Sequence, residues 1–159
     1  MADAALETPA LDRASHLRED REGFARLHAL LQETNTNNPE FARLHRRLTE
    51  VLRNILHRLD EEFPGQVDRV VASDDWARYG FDLRNMPFEE VAVLIVFDLS
   101  ERPFELYQEV ARRVFVELGD RDVFVQFGLA TAAEWKSWVE VARHRGMLDA
   151  LGIPLAVRM

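Results

Sequence analysis

Cysteine is absent from the chain, which excludes disulfides, thiolate zinc sites and cysteine nucleophiles. Lysine is nearly absent too. Lys136 stands alone beside 19 arginines, a skew that points to a GC-rich genome rather than to a function. Basic charge is in deficit: 20 Lys and Arg face 28 Asp and Glu, for a net charge of −8. A general affinity for nucleic-acid phosphates needs a basic surface, so nucleic acid is not an expected partner. Long apolar runs are missing. The longest, Val91 to Phe97, falls far short of the roughly 20 residues that span a bilayer. Met1 to Leu11 carries no basic region followed by an apolar one, so no secretory signal is expected, and the expected location is the cytoplasm. Gly-x-Gly-x-x-Gly, P-loop and Gly-x-Ser-x-Gly motifs do not occur. A serine nucleophile would have to be Ser15, Ser73, Ser100 or Ser137, none with motif support.

What is present suffices for a folded domain. The chain has 159 residues, 47% of them hydrophobic, a length and apolar content that fit one domain with a real core. Residues 1–10 read as a flexible leader. A helix is expected from Leu11 to Glu33, with Leu17, Phe24, Leu27 and Leu31 on one stripe. Asn38 and Pro39 open a second helix. It carries Phe41, Leu44, Leu48, Leu52, Ile55, Leu59 and Phe63 at steps of three and four, and Pro64-Gly65 stops it. Phe24-Ala25-Arg26-Leu27-His28 recurs as Phe41-Ala42-Arg43-Leu44-His45, which reads as two similar amphipathic helices forming a hairpin over residues 11–63. Its long stripe can pack on a sheet, on the first helix or on another subunit.

After Pro64 the pattern changes. Val67 to Ala72 is a short strand. Ser73 to Glu89 is a connection holding Trp76, Tyr79, Phe81 and Phe88, read as a packed flap. Val91 to Phe97 is apolar on both faces, as in a strand inside an α/β sheet. Ser100 to Leu118 is a helix with Pro103 in its first turn, ended by Gly119. Asp122 to Gly128 is a strand. Thr131-Ala132-Ala133-Glu134 is a capping box opening a helix whose Trp135 and Trp138 read as core. Gly152 to Val157 closes the chain as an extended edge segment. The fold class is therefore α/β (α+β), a small mixed sheet flanked by helices.

Thr131-Ala132-Ala133-Glu134-Trp135 and the later Gly152-Ile153-Pro154-Leu155 resemble the closing phrases of small nucleotidyltransferases of the DNA polymerase β-like superfamily. The element order over Ile55 to Met159 is similar as well. The resemblance implies a nucleotidyltransferase-like domain over residues 64–159, with the helical hairpin before it. It implies a triphosphate-holding Gly-Ser after the first strand, where this chain has Ala72-Ser73 followed by Asp74 and Asp75. It also implies an Asp-x-Asp pair at the start of the second strand. There, side chains at i and i+2 share a face and hold two divalent ions. This chain has Glu90 and Ala92. Asp122 stands for a third acid. Ser73, Glu90 and Asp122 are thus remnant candidates, while Ala92 supplies no ligand.

The expectation is a non-catalytic, pseudoenzyme-like module for protein–protein interaction, antitoxin-like or regulatory, with no metal and no cofactor. The expected partner is another protein or a second copy, met through the N-terminal helices. One alternative is a metal-dependent nucleotidyltransferase with a rearranged site, which would use Mg²⁺ and a nucleoside triphosphate. Another is an α/β small-ligand sensor using the aromatic loop as a lid. Among other constellations, His28 and His45 occupy equivalent repeat positions and meet if the hairpin forms. The remaining histidines, His16, His57 and His144, show no metal-ligand spacing. Arg43, Arg46, Arg47, Arg53 and Arg58 are balanced by nearby acids and read as a solvated helix face. Asp98 reads as a turn or helix-cap residue.

Overall fold

A computed structural model of the chain describes residues 17–72, 89–116 and 123–159. Strand β1 (Leu17–Glu19) leads into helix α1 (Arg21–Thr34), helix α2 (Phe41–Glu62) and strand β2 (Val67–Ala72). Strand β3 (Glu89–Phe97) and helix α3 follow, the latter α-helical over Leu106–Val110 and π-helical over Ala111–Phe115. Strand β4 (Val123–Thr131), helix α4 (Ala132–His144), a 3₁₀ turn (Leu148–Leu151) and strand β5 (Ile153–Arg158) complete the order. The strands form one sheet in the order β1-β5-β2-β3-β4. All neighbours are antiparallel except β3 and β4, which run parallel in a continuous register from Glu89↔Val123 to Phe97↔Thr131. The fold is mixed α+β, as its alternating apolar pattern implies.

The helical hairpin forms, and its apolar stripe is internal. Leu44, Leu48, Leu52 and Ile55 are all buried within the single chain. Leu48, Leu52 and Ile55 share one cluster with Phe24, Leu27 and Leu31 of α1 and with Val70, Ile95 and Phe97 of the sheet. No second subunit is needed to cover them. Between the helices, the Asn38 side chain accepts the Glu40 N–H at 2.8 Å, and α2 begins at Phe41. Gly65, with φ of 72°, makes the turn into β2 after α2 ends.

Four sequence expectations need correction. The first helix does not run back through Leu17: Leu17–Glu19 is a strand paired with β5. Asp20 is the reason. Its side chain accepts the Gly23 N–H at 2.8 Å, which fixes it as the N-cap in extended geometry, while its own N–H donates to the Leu155 carbonyl. Glu19 is held to α2 by a bidentate bond from Arg53 at 2.8 and 3.0 Å. As a result β5 is not an edge, because β1 covers it.

The third helix starts later than Ser100. The Pro103 carbonyl accepts the Leu106 N–H in a turn, and helical geometry begins at Leu106. Finally, Trp138 is 42% exposed and Trp135 half-buried, so neither is core. The helix presents a wider apolar arc than the sheet can cover. The capping box is as expected. Thr131 Oγ1 accepts the Glu134 N–H at 3.0 Å, and Glu134 Oε1 accepts the Thr131 N–H at 2.9 Å.

The π segment has a packing consequence. A π turn inserts one extra residue, so a residue eight along takes the place that a residue seven along would hold in an α-helix. Tyr107 and Phe115 accordingly reach the same ring, Phe127 of β4, stacking on it at centroid distances of 4.6 and 4.3 Å.

Candidate functional site

Of the three remnant candidates, only Glu90 falls among the described residues. Glu90 lies on β3 with its backbone paired to Phe124 of β4. Ser73 and Asp122 fall outside the described residues, as does the aromatic connection with Trp76. Ala92 pairs with Gln126 across the parallel strands. At the place where the resemblance implies the second metal-binding carboxylate, the sheet therefore offers a methyl group beside a primary amide. Neither is anionic, and a hard divalent ion there would lack its usual oxygen charges. Among the described residues no group of three or more His, Asp or Glu side chains is placed to hold a metal ion.

Asp98 is a turn residue, with a larger task than the sequence indicates. Its Oδ2 accepts from Arg158 Nη2 at 2.7 Å, and Arg158 Nη1 donates to the Gly65 carbonyl at 2.8 Å. The Asp98 N–H donates to the Gln66 carbonyl. One arginine near the end of the chain thus ties the α2–β2 turn to the end of β3. This is a structural clamp, not a ligand site.

At the opposite end of the parallel pair from Glu90, a cleft of about 490 Å³ opens beyond the carboxyl ends of β3 and β4. Arg102, Phe104, Tyr107, Leu129, Thr131 and Glu134 line it. The carboxyl edge of parallel strands is where crevices form in open α/β sheets. The residues Ser100 to Phe104, which the sequence placed in a helix, form its rim instead. Arg102 Nε stands 3.6 Å from Glu134 Oε1, so the cleft carries an ion pair at its wall. Phe104 is 90% exposed and Tyr107 53%. Sequence reasoning missed both, because a helix starting at Ser100 absorbs them. The signal that could have found them is Pro103-Phe104, an aromatic after a residue that favours a turn over helix propagation.

His28 and His45 do meet. Their rings pack edge to face at 4.2 Å, with His28 Nδ1 3.2 Å from His45 Nδ1 and 3.3 Å from its Nε2. Partial burial and the neighbouring His28 hold His45 at a pKa of about 4, below the ordinary 6.5. Phe41 lies against both rings. The pair bridges the two helices near the turn that joins them, and protonation of His45 is opposed by its burial and its neighbour. On the arginine face, Arg43 bonds Glu40, Arg53 bonds Glu19, and Arg58 donates to the Arg113 carbonyl. These three cations serve the fold.

Among the described residues no helix is long and apolar enough to cross a membrane. Comparison of the chain with family models, with curated proteins and with solved structures finds no match.

Proposed function

We propose that the chain is a cytoplasmic binding and assembly module on a nucleotidyltransferase-like sheet, without nucleotidyl-transfer chemistry. The observation that carries this reading is Ala92 opposite Gln126 on adjacent parallel strands. Two-metal phosphoryl transfer needs anionic oxygens at that spot. The likeness to the superfamily is supported by strand order. β2 runs antiparallel to β3, and β3 runs parallel to β4 with α3 between them. The binding role is supported by large apolar side chains left uncovered, Phe104 and Tyr107 at the start of α3 and Trp138 and Val141 on α4. An antitoxin-like or regulatory partner would meet such a surface, or the outward polar side of α1 and α2.

The test is titration of ATP and GTP with Mg²⁺ or Mn²⁺ while following the melting temperature. No shift is expected. Metal-dependent stabilisation that disappears in Glu90→Ala would replace this reading with a rearranged nucleotidyltransferase. A second reading, a small-ligand sensor, draws on the cleft lined by Arg102, Tyr107 and Glu134. A library of small anions and aromatic acids, screened by the same melting assay against Arg102→Ala, separates it.

A further inference from the structure

Helix α4 and its C-cap together carry four residues, Glu134, Trp138, Val141 and Arg145, that fall within roughly 60° of arc at 100° per residue. They form one stripe on the flank of the helix, running about 16 Å along its axis. Trp138 is 42% and Val141 51% exposed. Beyond the stripe's far end, Met147 and Leu148 are about half exposed; at its near end Glu134 shares the cleft with the exposed Phe104. The ends differ in charge. Glu134 and Glu101 outnumber Arg102 at the near end, while Glu140, His144 and Arg145 border Val141 at the far end. Arg145 makes no side-chain ion pair among the described residues. Glu134 meets Thr131 and Arg102 through the same oxygen, Oε1.

The spacing of this stripe is self-complementary. Glu134 and Arg145 are equidistant from a midpoint between Val139 and Glu140, and so are Trp138 and Val141. In an antiparallel helix pair, residues facing each other share such a midpoint. A two-fold axis there sets each Trp138 on Val141 of the second copy, and each Glu134 beside Arg145 of the second copy. The same operation brings Phe104 towards Met147 and Leu148 of the second copy. Apolar meets apolar and acid meets base at both ends, as an isologous interface requires.

From this we infer that α4 is the interface of an antiparallel homodimer, with the occupant of its exposed stripe being a second copy of this chain. The inference deepens the binding-module reading and rests on it. It moves self-association from the N-terminal helices, whose apolar stripe is spent on the core, to α4.

Light scattering and sedimentation of the full chain test it. The wild type is expected at twice the monomer mass at about 100 µM, well above the Kd of a specific interface. Trp138→Glu and Val141→Glu should each run at half that mass with an unchanged far-UV spectrum. Because the chain lacks cysteine, cross-linking is unambiguous. Trp138→Cys mixed with Val141→Cys should oxidise to the mixed disulfide several-fold faster than either variant alone. A monomeric wild type, a dimer that survives both Glu variants, or no preference for the mixed disulfide overturns the inference. Those results leave the module reading standing with a different partner. Metal-dependent nucleotide stabilisation overturns the module reading and says nothing against the dimer. If Trp138→Glu does not fold, Val141→Glu and the cross-link decide.

Discussion

Among the described residues, one face of the sheet receives three helices and the other receives one, and the residues on the two faces differ in kind. On the first, Val93, Ile95 and Phe97 of β3 and Val123 and Leu129 of β4 meet large side chains from α1, α2 and α3 in one buried cluster. On the second, Val71, Val96 and Ala130 are buried outside that cluster, and α4, which packs on β3 and β4, adds Ala142. Trp135 is held there by the Arg69 guanidinium, 5.4 Å from its ring. Along β3 and β4 the same alternation leaves Ala92, Leu94 and Gly128 half-buried and Gln126 exposed. Stability is concentrated on the face with the large residues, because burial energy scales with apolar area removed from water. The thin face is built from smaller residues, and the outer flank of α4 stays exposed at Trp138 and Val141.

The largest expected effect sharpens this contrast. Leu48 is fully buried on the thick side, so Leu48→Ala is expected to cost about 3–4 kcal/mol in urea denaturation. Leu94→Ala, on the half-covered side, should cost about 1 kcal/mol. Equal losses would mean that both faces are core. Gly23→Ala should follow in size. A β-carbon at Gly23 would overlap the Pro154 carbonyl, because the first turn of α1 lies against β5. The loss is expected at about 2–3 kcal/mol, since backbone must move to relieve it. A neutral result would show that α1 can shift away from the thick face.

The sequence revealed the thick face better than the thin one, for a physical reason. The helical period of α2 and the continuous apolar run of β3 are strong signals because each element is covered on the side that its pattern marks. Leu17–Glu19 was misread as helix because three residues are too few to show a period. Its true signal, an N-cap at Asp20, is a single residue that counts only once β5 is known to lie beside it. Trp138 was misread as core because hydrophobicity marks what can be buried, not how much neighbouring surface exists to bury it. The cleft at Phe104 depends on where α3 begins, and helix starts are set by caps and turns more than by propensity. By contrast, the meeting of His28 with His45 was legible, because equivalent positions of a repeat face each other once the hairpin forms.

Acidification probes the edge of the thick face. His45 stays neutral in the folded chain down to a pKa of about 4, whereas the unfolded chain takes up its proton near 6.5. Between those values the unfolded state binds more protons, so stability is full above pH 6.5 and falls as pH drops towards 4. The loss is expected at about 1 kcal/mol, discounted because the ring is partly solvated. His45→Gln should flatten this portion of the stability–pH curve. If it does not, the slope belongs to carboxylates elsewhere. Thr131→Ala removes the capping hydroxyl that anchors α4 to the end of β4 and should cost about 1 kcal/mol by chemical denaturation.

The smallest expected change is the most pointed. Trp138→Gln replaces one of the two tryptophans on α4, yet Trp138 is 42% exposed and is absent from the main buried cluster. Measured at low protein concentration, where association does not contribute, it should alter unfolding free energy by less than about 0.5 kcal/mol. Such a result would leave the Trp138 side chain available for the proposed contact with a second copy. A loss approaching that of Leu48→Ala would instead make α4 a second core helix, and the difference between the two faces would vanish.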